Sequence, residues 1–279
     1  MPNRSLYAGR RASLATKHDK LPLIGPSMRD AVGLEVFCAG TDTDRFGTFD
    51  GDVPRVDTPF RTAVAKARHG MEESGASIGI ASEGSIGQGN MFPLVSDLEI
   101  VVLVDDNEGF VLGESAESLE TVVHSWTTDA DEPDPGELLR AGFPGHGLIV
   151  RPDGGTGPVI KGIHRHDELV DAVRQCRDNG AATVRIESDL RAHHCPSRRP
   201  VIETAARRLA ARLAVTCASC GCPGWGRVDV LRGLPCAACS NPTEAVMAEI
   251  DGCARCGTKA TGKVLQTQAD PSTCGTCNP

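Results

Sequence analysis

Apolar positions along the first three-quarters of the chain recur with two periods, one of 2 and one of 3.6, the signatures of strands and helices. "ASLAT" at 12–16 reads as a strand, followed by a Pro-interrupted helical stretch from Leu21 to Val32 and a second strand, "LEVFC", at 34–38. Thr58 and Pro59 form a cap and first-turn signal, and Phe60, Val64, Ala67 and Met71 give the stripe of a helix that Gly75 stops. "SIGIA" at 77–81 resumes strand alternation, and "LEIVVLV" at 98–104 is a continuous apolar run suited to a central strand. "GLIVR" and "PVIKGI" are short strands. A helix from Asp167 buries Leu169, Val170, Val173 and Cys176 before Asn179-Gly180 ends it, "TVRIES" at 183–188 is another strand, and Pro200 opens a last helix with Ile202, Ala205, Ala206, Leu209 and Leu213 inward. Strands alternating with helices predict an α/β fold with a mixed central sheet flanked by helices, over residues 1–213.

The pattern changes near residue 214. Of twelve cysteines, Cys38, Cys176 and Cys195 are scattered, while nine lie between Cys217 and Cys277. Eight form four CxxC pairs: "CASC" at 217–220, "CAAC" at 236–239, "CARC" at 253–256 and "CGTC" at 274–277. Two CxxC turns supply four sulfurs for a tetrahedral Zn²⁺, so residues 214–279 read as a small tandem zinc-ribbon module with two structural sites. Consecutive pairing puts Cys217, Cys220, Cys236 and Cys239 at one site and Cys253, Cys256, Cys274 and Cys277 at the other. Interleaved pairing, first with third and second with fourth, is equally compatible with the spacing. "GRVDVLRG" and "TEAVMAEI" are strands between knuckles, and Cys222 is a spectator. With so little apolar content, the module depends on metal for its folding free energy, on the order of 10 kcal/mol per site.

Charge narrows the partners. A formal net charge of −8 disfavours broad binding to nucleic acid or an anionic membrane. In residues 211–279, six Lys/Arg face five Asp/Glu, and eight thiolates around two Zn²⁺ take the balance from +1 to about −3, a poor footprint for nucleic acid. A structural or protein-docking role fits the ribbons better, with Trp225 as the large aromatic available to a partner or to its own ribbon. No apolar run approaches a membrane span and the first residues lack an apolar signal core, which leads to the expectation of a cytoplasmic protein. Asp105 to Glu137 holds eleven carboxylates and no Lys or Arg, and reads as a solvated insertion with loops.

Candidate chemistry lies at strand ends, where α/β sheets gather ligands. "ATKHDK" offers Thr16, Lys17 and Lys20 to a phosphate, "TDTDRFGTF" offers Asp44, "ASEGSIGQG" puts Glu83 beside a Gly-rich loop, and "DLRAHHCPSRRP" carries Asp189, Arg191, His193 and Arg198. Together these resemble the parts for handling a polyphosphate: cations for the phosphates, with Glu83 and Asp44 or Asp189 as ligands for Mg²⁺. Arg198 and Arg199 precede a helix N-terminus, where a cation is unfavourable without an anion. That anion is either an incoming phosphate or an internal carboxylate, Glu187, Asp189 or Glu203. His193, His194 and Cys195 make a poor metal site because adjacent residues seldom converge on one ion.

"LYAGRRASLATKHDK", "TDRFGTFDGD", "ASEGSIG", "GFPGHGLIV", "ESDLRAHHCPSRRPVI" and "GWGRVDVLRGLPCAAC" together resemble an uncharacterised bacterial family, a domain of unknown function with a cysteine-rich tail. More loosely, "LATKHDK", "AVAKARHG", "GIASEGSIG" and "RAHHCPSRRPVI" follow the order of motifs in inosine/xanthosine triphosphate pyrophosphatases, with His18 where those enzymes carry Asn. That resemblance implies Mg²⁺-dependent hydrolysis of nucleoside triphosphates. In it, Thr16 and Lys20 hold phosphate, Lys66 faces the site, Glu83 binds Mg²⁺, and His193 or His194 with Arg198 contacts nucleotide. Two readings result: a Mg²⁺-dependent nucleotide- or phosphate-handling hydrolase, or a non-catalytic nucleotide sensor whose ribbons dock a protein.

Overall fold

The computed structural model describes residues 5–47, 57–88 and 95–279, which build three β-sheets and five α-helices. The first sheet contains β1 (Arg11–Ala15), β2 (Glu35–Cys38), β3 (Ile78–Gln88), β4 (Val95–Asp105) and β5 (Phe110–Ser118), in the order β2-β1-β3-β4-β5. β2, β1 and β3 run parallel, and β3, β4 and β5 are antiparallel, which makes the sheet mixed as the strand–helix alternation predicts.

Helices cover both faces because the strands alternate two apolar sets. Leu14, Ile78, Ile80, Val101 and Leu103 face α1 (Leu21–Val32) and α5 (Arg199–Leu213), forming the largest core with Ile24, Met28, Ile202 and Leu209. Ala15, Ala81, Val102 and Val104 face α2 (Pro59–Ser74), whose Ala63, Ala67 and Met71 close a second core. α2 has the expected ends: Thr58 Oγ1 accepts from the Arg61 amide, Pro59 fills the first turn, and Gly75 takes a left-handed φ of 70°.

The connections leave β1 in opposite directions. The chain passes from β1 through α1 to β2 on one face, then returns past β1 through α2 on the other face to β3. The carboxyl ends of β1 and β3 therefore flank the point where strand order reverses, the place at which such sheets open a crevice.

A second, antiparallel sheet has the order β6-β9-β7-β8, from β6 (Ser125–Thr128), β7 (Leu148–Pro152), β8 (Ile160–Ile163) and β9 (Val184–Ser188). α3 (Pro135–Arg140) and α4 (His166–Asp178) belong to this part, and Leu169 and Val173 of α4 pack with Leu148, Val150 and Ile186 in its core. The acidic stretch Asp105–Glu137 is not a looped insertion: it contains β5, an edge strand of the first sheet, and β6. The carboxylate count hides the alternation of Phe110, Leu112 and Ala116, which are buried against the α5 core. Asp105 is itself buried and accepts from the amides of Asn107 and Glu108, capping the turn into β5.

The third sheet is an antiparallel meander of β10 (Gly226–Arg232), β11 (Val246–Gly252) and β12 (Lys259–Val264). Its first and third knuckles, rather than its strands, pack against the first sheet and α5. Cys217, Cys222 and Cys253 share the largest core with Leu209 and Leu213, Arg212 pairs with Glu114 at 2.8 Å and donates to the Gly224 carbonyl, and Trp225 packs against the same core. Among the described residues no helix is long and apolar enough to cross a membrane.

Gly224 has a φ of 96°, and a Cβ at that position would overlap the Leu112 side chain of β5. Gly224→Ala should therefore lower stability by about 1–3 kcal/mol, read as a lower urea midpoint, because β5 and the ribbon cannot both keep their positions.

Candidate functional site

Each CxxC pair is wrapped by the same tight turn, closed by an amide donating back to the first cysteine's carbonyl: Gly221 to Cys217, Ser240 to Cys236, Gly257 to Cys253 and Asn278 to Cys274, at 2.8–3.0 Å. The meander decides which knuckles meet. The first knuckle precedes β10 and the third follows β11, and the antiparallel pairing of Gly226 with Gly252 brings them together. The second follows β10 and the fourth lies beyond β12, at the other end of the sheet. The clusters are thus interleaved: Cys217, Cys220, Cys253 and Cys256, then Cys236, Cys239, Cys274 and Cys277.

The sulfur spacing fits a metal. Cys217–Cys256 and Cys220–Cys253 are 3.8 and 3.6 Å apart, and Cys236–Cys277 and Cys239–Cys274 are 3.8 and 3.7 Å. Four sulfurs about 2.3 Å from a common centre have edges of about 3.8 Å, whereas a disulfide needs about 2.05 Å. The thiols respond to one another unequally. Hydrogen bonds from the Thr258 hydroxyl and amide hold Cys256 down at about 6, and the Cys277 and Thr276 amides do the same for Cys274. Hydrogen bonding to the Cys239 and Cys236 sulfurs pushes Cys277 up to about 12. Each set of four sulfurs can hold a metal ion, and binding one would take the remaining protons off the thiols. Cys222 is buried beside the first cluster without joining it, and burial, then the charge of Cys253, pushes it up to about 11.

Just past the carboxyl end of β1, beside the middle of β3, the structure gathers charged side chains that are nearly all inaccessible. Ser82 and Glu83 lie within β3, which stays paired with β4 as far as Gln88, so the stretch expected to be a strand end with a Gly-rich loop is itself strand. Lys20, at the start of α1, is 7% exposed and donates from Nζ to Ser82 Oγ at 2.8 Å. Lys66, on α2, reaches Glu83 at 2.6 Å from the other face of β3. Arg198 is 1% exposed; its Nε donates to Glu99 Oε1 at 2.8 Å and its Nη1 to the Leu190 carbonyl. Gly84 makes room for this: a Cβ there would lie 2.8 Å from Glu99 Oε1 and collide with the guanidinium. Burial pushes the Lys20 ammonium down to about 8, with Glu99 and Glu83 opposing and Arg198 and Lys66 reinforcing the shift. Lys20, Lys66, Glu83 and Arg198, picked out separately in the sequence, thus form one electrostatic cluster.

The other sequence candidates take local partners. Thr16 Oγ1 accepts from the His18 amide, and Lys17 is exposed and pairs with Asp42 at 2.8 Å. Asp189 is buried, pairs with Arg191, and accepts from the Gly162 amide at 3.0 Å; Arg191 Nε donates to it at 2.9 Å. His193 is exposed and stacks on His18 with ring centroids 5.1 Å apart. His194 Nδ1 lies 2.9 Å from His164 Nε2, and burial pushes His194 down to about 4. The backbone of Asp44 opens a short 3₁₀ turn, and its side chain lies outside the described part of the structure.

Two observations bear on these candidates. Glu83 and Asp189, paired in the sequence as magnesium ligands, each hold a cation of the chain itself, Lys66 and Arg191. The anion that Arg198 needs is neither Asp189 nor Glu187, which pairs with Arg151, but Glu99. Glu99 lies inside the run "LEIVVLV", which reads as apolar, and Asp97 stands just before it, so composition hides both. Their signal is period-2 spacing with Val101 and Leu103, which places both acids on the buried α5 face of a central strand.

A family model described as a domain of unknown function, DUF6671, matches residues 66–279. No curated protein matches the chain.

Interleaving has a direct consequence for metal content. The double variant Cys217→Ser/Cys253→Ser removes two ligands from one cluster and should retain one metal per chain by elemental analysis. Consecutive pairing would instead leave neither site complete and no tightly held metal.

Proposed function

Since the chain belongs to this DUF6671 family, whose function is not established, we propose from its own chemistry that it is a two-zinc protein that binds a phosphate-bearing small molecule where β1 ends beside β3. Zinc is the metal of choice for the two clusters: all-sulfur ligation, tetrahedral spacing and four protein ligands each describe closed structural sites. Zinc bound there neutralises the thiolates and cross-links the knuckles. Reduced cysteines require a reducing compartment, which supports a cytoplasmic location. In this reading residues 1–213 carry the ligand site and 214–279 the ribbons.

The observation that carries the ligand site is Lys20. It stands at the strand-order reversal, and Ser82 takes one of the three donors its ammonium possesses. A phosphate oxygen seated at the carboxyl end of β1 can accept the others. Lys66 adds a second cation, and Glu83 orients it. The Glu83–Lys66 pair supports binding over Mg²⁺-dependent hydrolysis, because the ammonium already supplies the counter-charge that a magnesium ion would need from the carboxylate. Nucleotides belong to the ligand class, and binding does not require Mg²⁺.

A docking role for the ribbons has its own support. Val228, Leu231, Val264 and Leu265 are large apolar side chains exposed on or beside the meander, whereas Trp225, the aromatic expected to meet a partner, is packed on the core.

The zinc-loaded protein should melt at higher temperature with inorganic phosphate, ADP or ATP in buffer without Mg²⁺, by the equivalent of about 2.7 kcal/mol at a hundred times Kd. Lys20→Met should abolish the shift. No shift with any of these ligands, or an undiminished shift in the variant, contradicts the reading.

A further inference from the structure

Two buried carboxylate oxygens, Asp97 Oδ1 and Glu99 Oε2, have no donor among the described residues. Both side chains are completely inaccessible, and they stand two residues apart on the same face of β4. Their other oxygens are satisfied: Thr121 Oγ1 donates to Asp97 Oδ2 at 2.8 Å, and Arg198 Nε donates to Glu99 Oε1 at 2.8 Å. Two ionised carboxylates accept and cannot bond each other. A carboxyl and a carboxylate can, and one hydrogen between them satisfies both orphan oxygens at once.

We propose that Asp97 and Glu99 share a single proton, and that this proton holds closed a clamp in which Arg198 ties the 189–198 loop to β4. With it, the interior near Arg198 contains one negative charge, on Glu99, opposite the guanidinium. Without it, two carboxylates lie side by side in a site that water does not reach, and their repulsion loosens the Glu99–Arg198 contact. Arg198 also donates to the Leu190 carbonyl, so loosening it releases the loop that carries His193 and His194.

The groups facing the pair come from several elements. Glu99 lies on the same strand, Thr121 follows β5, Arg198 and Cys195 precede α5, and Lys20 approaches from α1, with Glu83 and Lys66 beyond it. Burial, then the charge of Glu99, pushes Asp97 up to about 6 against the opposing pull of Arg198. The raised value fixes the sign. Folded Asp97 keeps its proton to about 6, while the unfolded chain releases it near 3.8, so the stability it contributes is whole at low pH and is lost as pH rises through about 6. This inference is independent of any ligand at β1.

Asp97→Asn tests it, because the amide donates to Glu99 at every pH and mimics the protonated acid. Denaturant midpoints of the zinc-loaded wild type and variant, compared between about pH 5 and pH 8, cancel whatever the metal sites contribute. The variant should gain on the wild type as pH rises through about 6, and amide exchange across 190–198 should become faster in the wild type over the same range. A gap that is the same at every pH, or exchange in the loop that never differs, overturns the proposal. If the variant does not fold, infrared spectra of the wild type decide. A protonated-carboxyl band that disappears as pH rises through about 6 supports the shared proton, and its absence at about pH 5 contradicts it.

Discussion

Four cysteine sulfurs within 4.8 Å of one another repel when ionised and can hold a metal ion, and the first such cluster in this protein lies against the main core rather than on an appended tail. Cys217 and Cys253, ligands of the first cluster, pack with Leu209 and Leu213 of α5 and with Leu112 of β5. The second cluster, at the far end of the meander, contributes no residue to that core. The two sites are chemically alike and structurally unequal: the first joins two sheets, while the second closes the ribbon on itself.

Helix α5 spans the distance between the molecule's two chemically distinctive regions. Its amino end follows directly from Arg198, which is buried against Glu99, and its carboxyl end leads into Cys217. Removing one partner of such a buried pair costs about 3–5 kcal/mol, because the survivor is left charged in an apolar setting. The helix is therefore pinned electrostatically at one end and by the packing of Cys217 and Cys253 at the other. The 189–198 loop, β4 and the start of α1 share the first pin, and β5 and the ribbon share the second.

The sequence made the elements legible where a cap and an apolar stripe agreed, as for α2 between Thr58 and Gly75. It concealed them where charge dominated composition. β5 lies in a stretch of acids whose Phe110, Leu112 and Ala116 still alternate inward, and Asp97 and Glu99 sit at the edge of an apolar run. The eight cysteine ligands could be identified from spacing alone, but their pairing could not, because it depends on which ends of an antiparallel meander adjoin. Arg198 illustrates the same boundary. Its position before a helix signals a need for an anion, but Glu99 is 99 residues away in the chain and becomes its neighbour only once β4 lies under α5. Lys20 and Glu83 stand out in the sequence from their place after apolar strand runs, Lys66 only through the resemblance, and their convergence depends on α1 and α2 lying on opposite faces of the sheet at β1 and β3.

Hydrogen exchange on the metal-loaded and the chelator-stripped protein tests most directly whether the first metal cluster belongs to the core. Loss of metal should remove protection from α5 and β5 together with residues 216–279, because Cys217 and Cys253 share their packing with Leu209, Leu213 and Leu112. Loss confined to residues 216–279, with α5 and β5 as protected as before, would contradict the account.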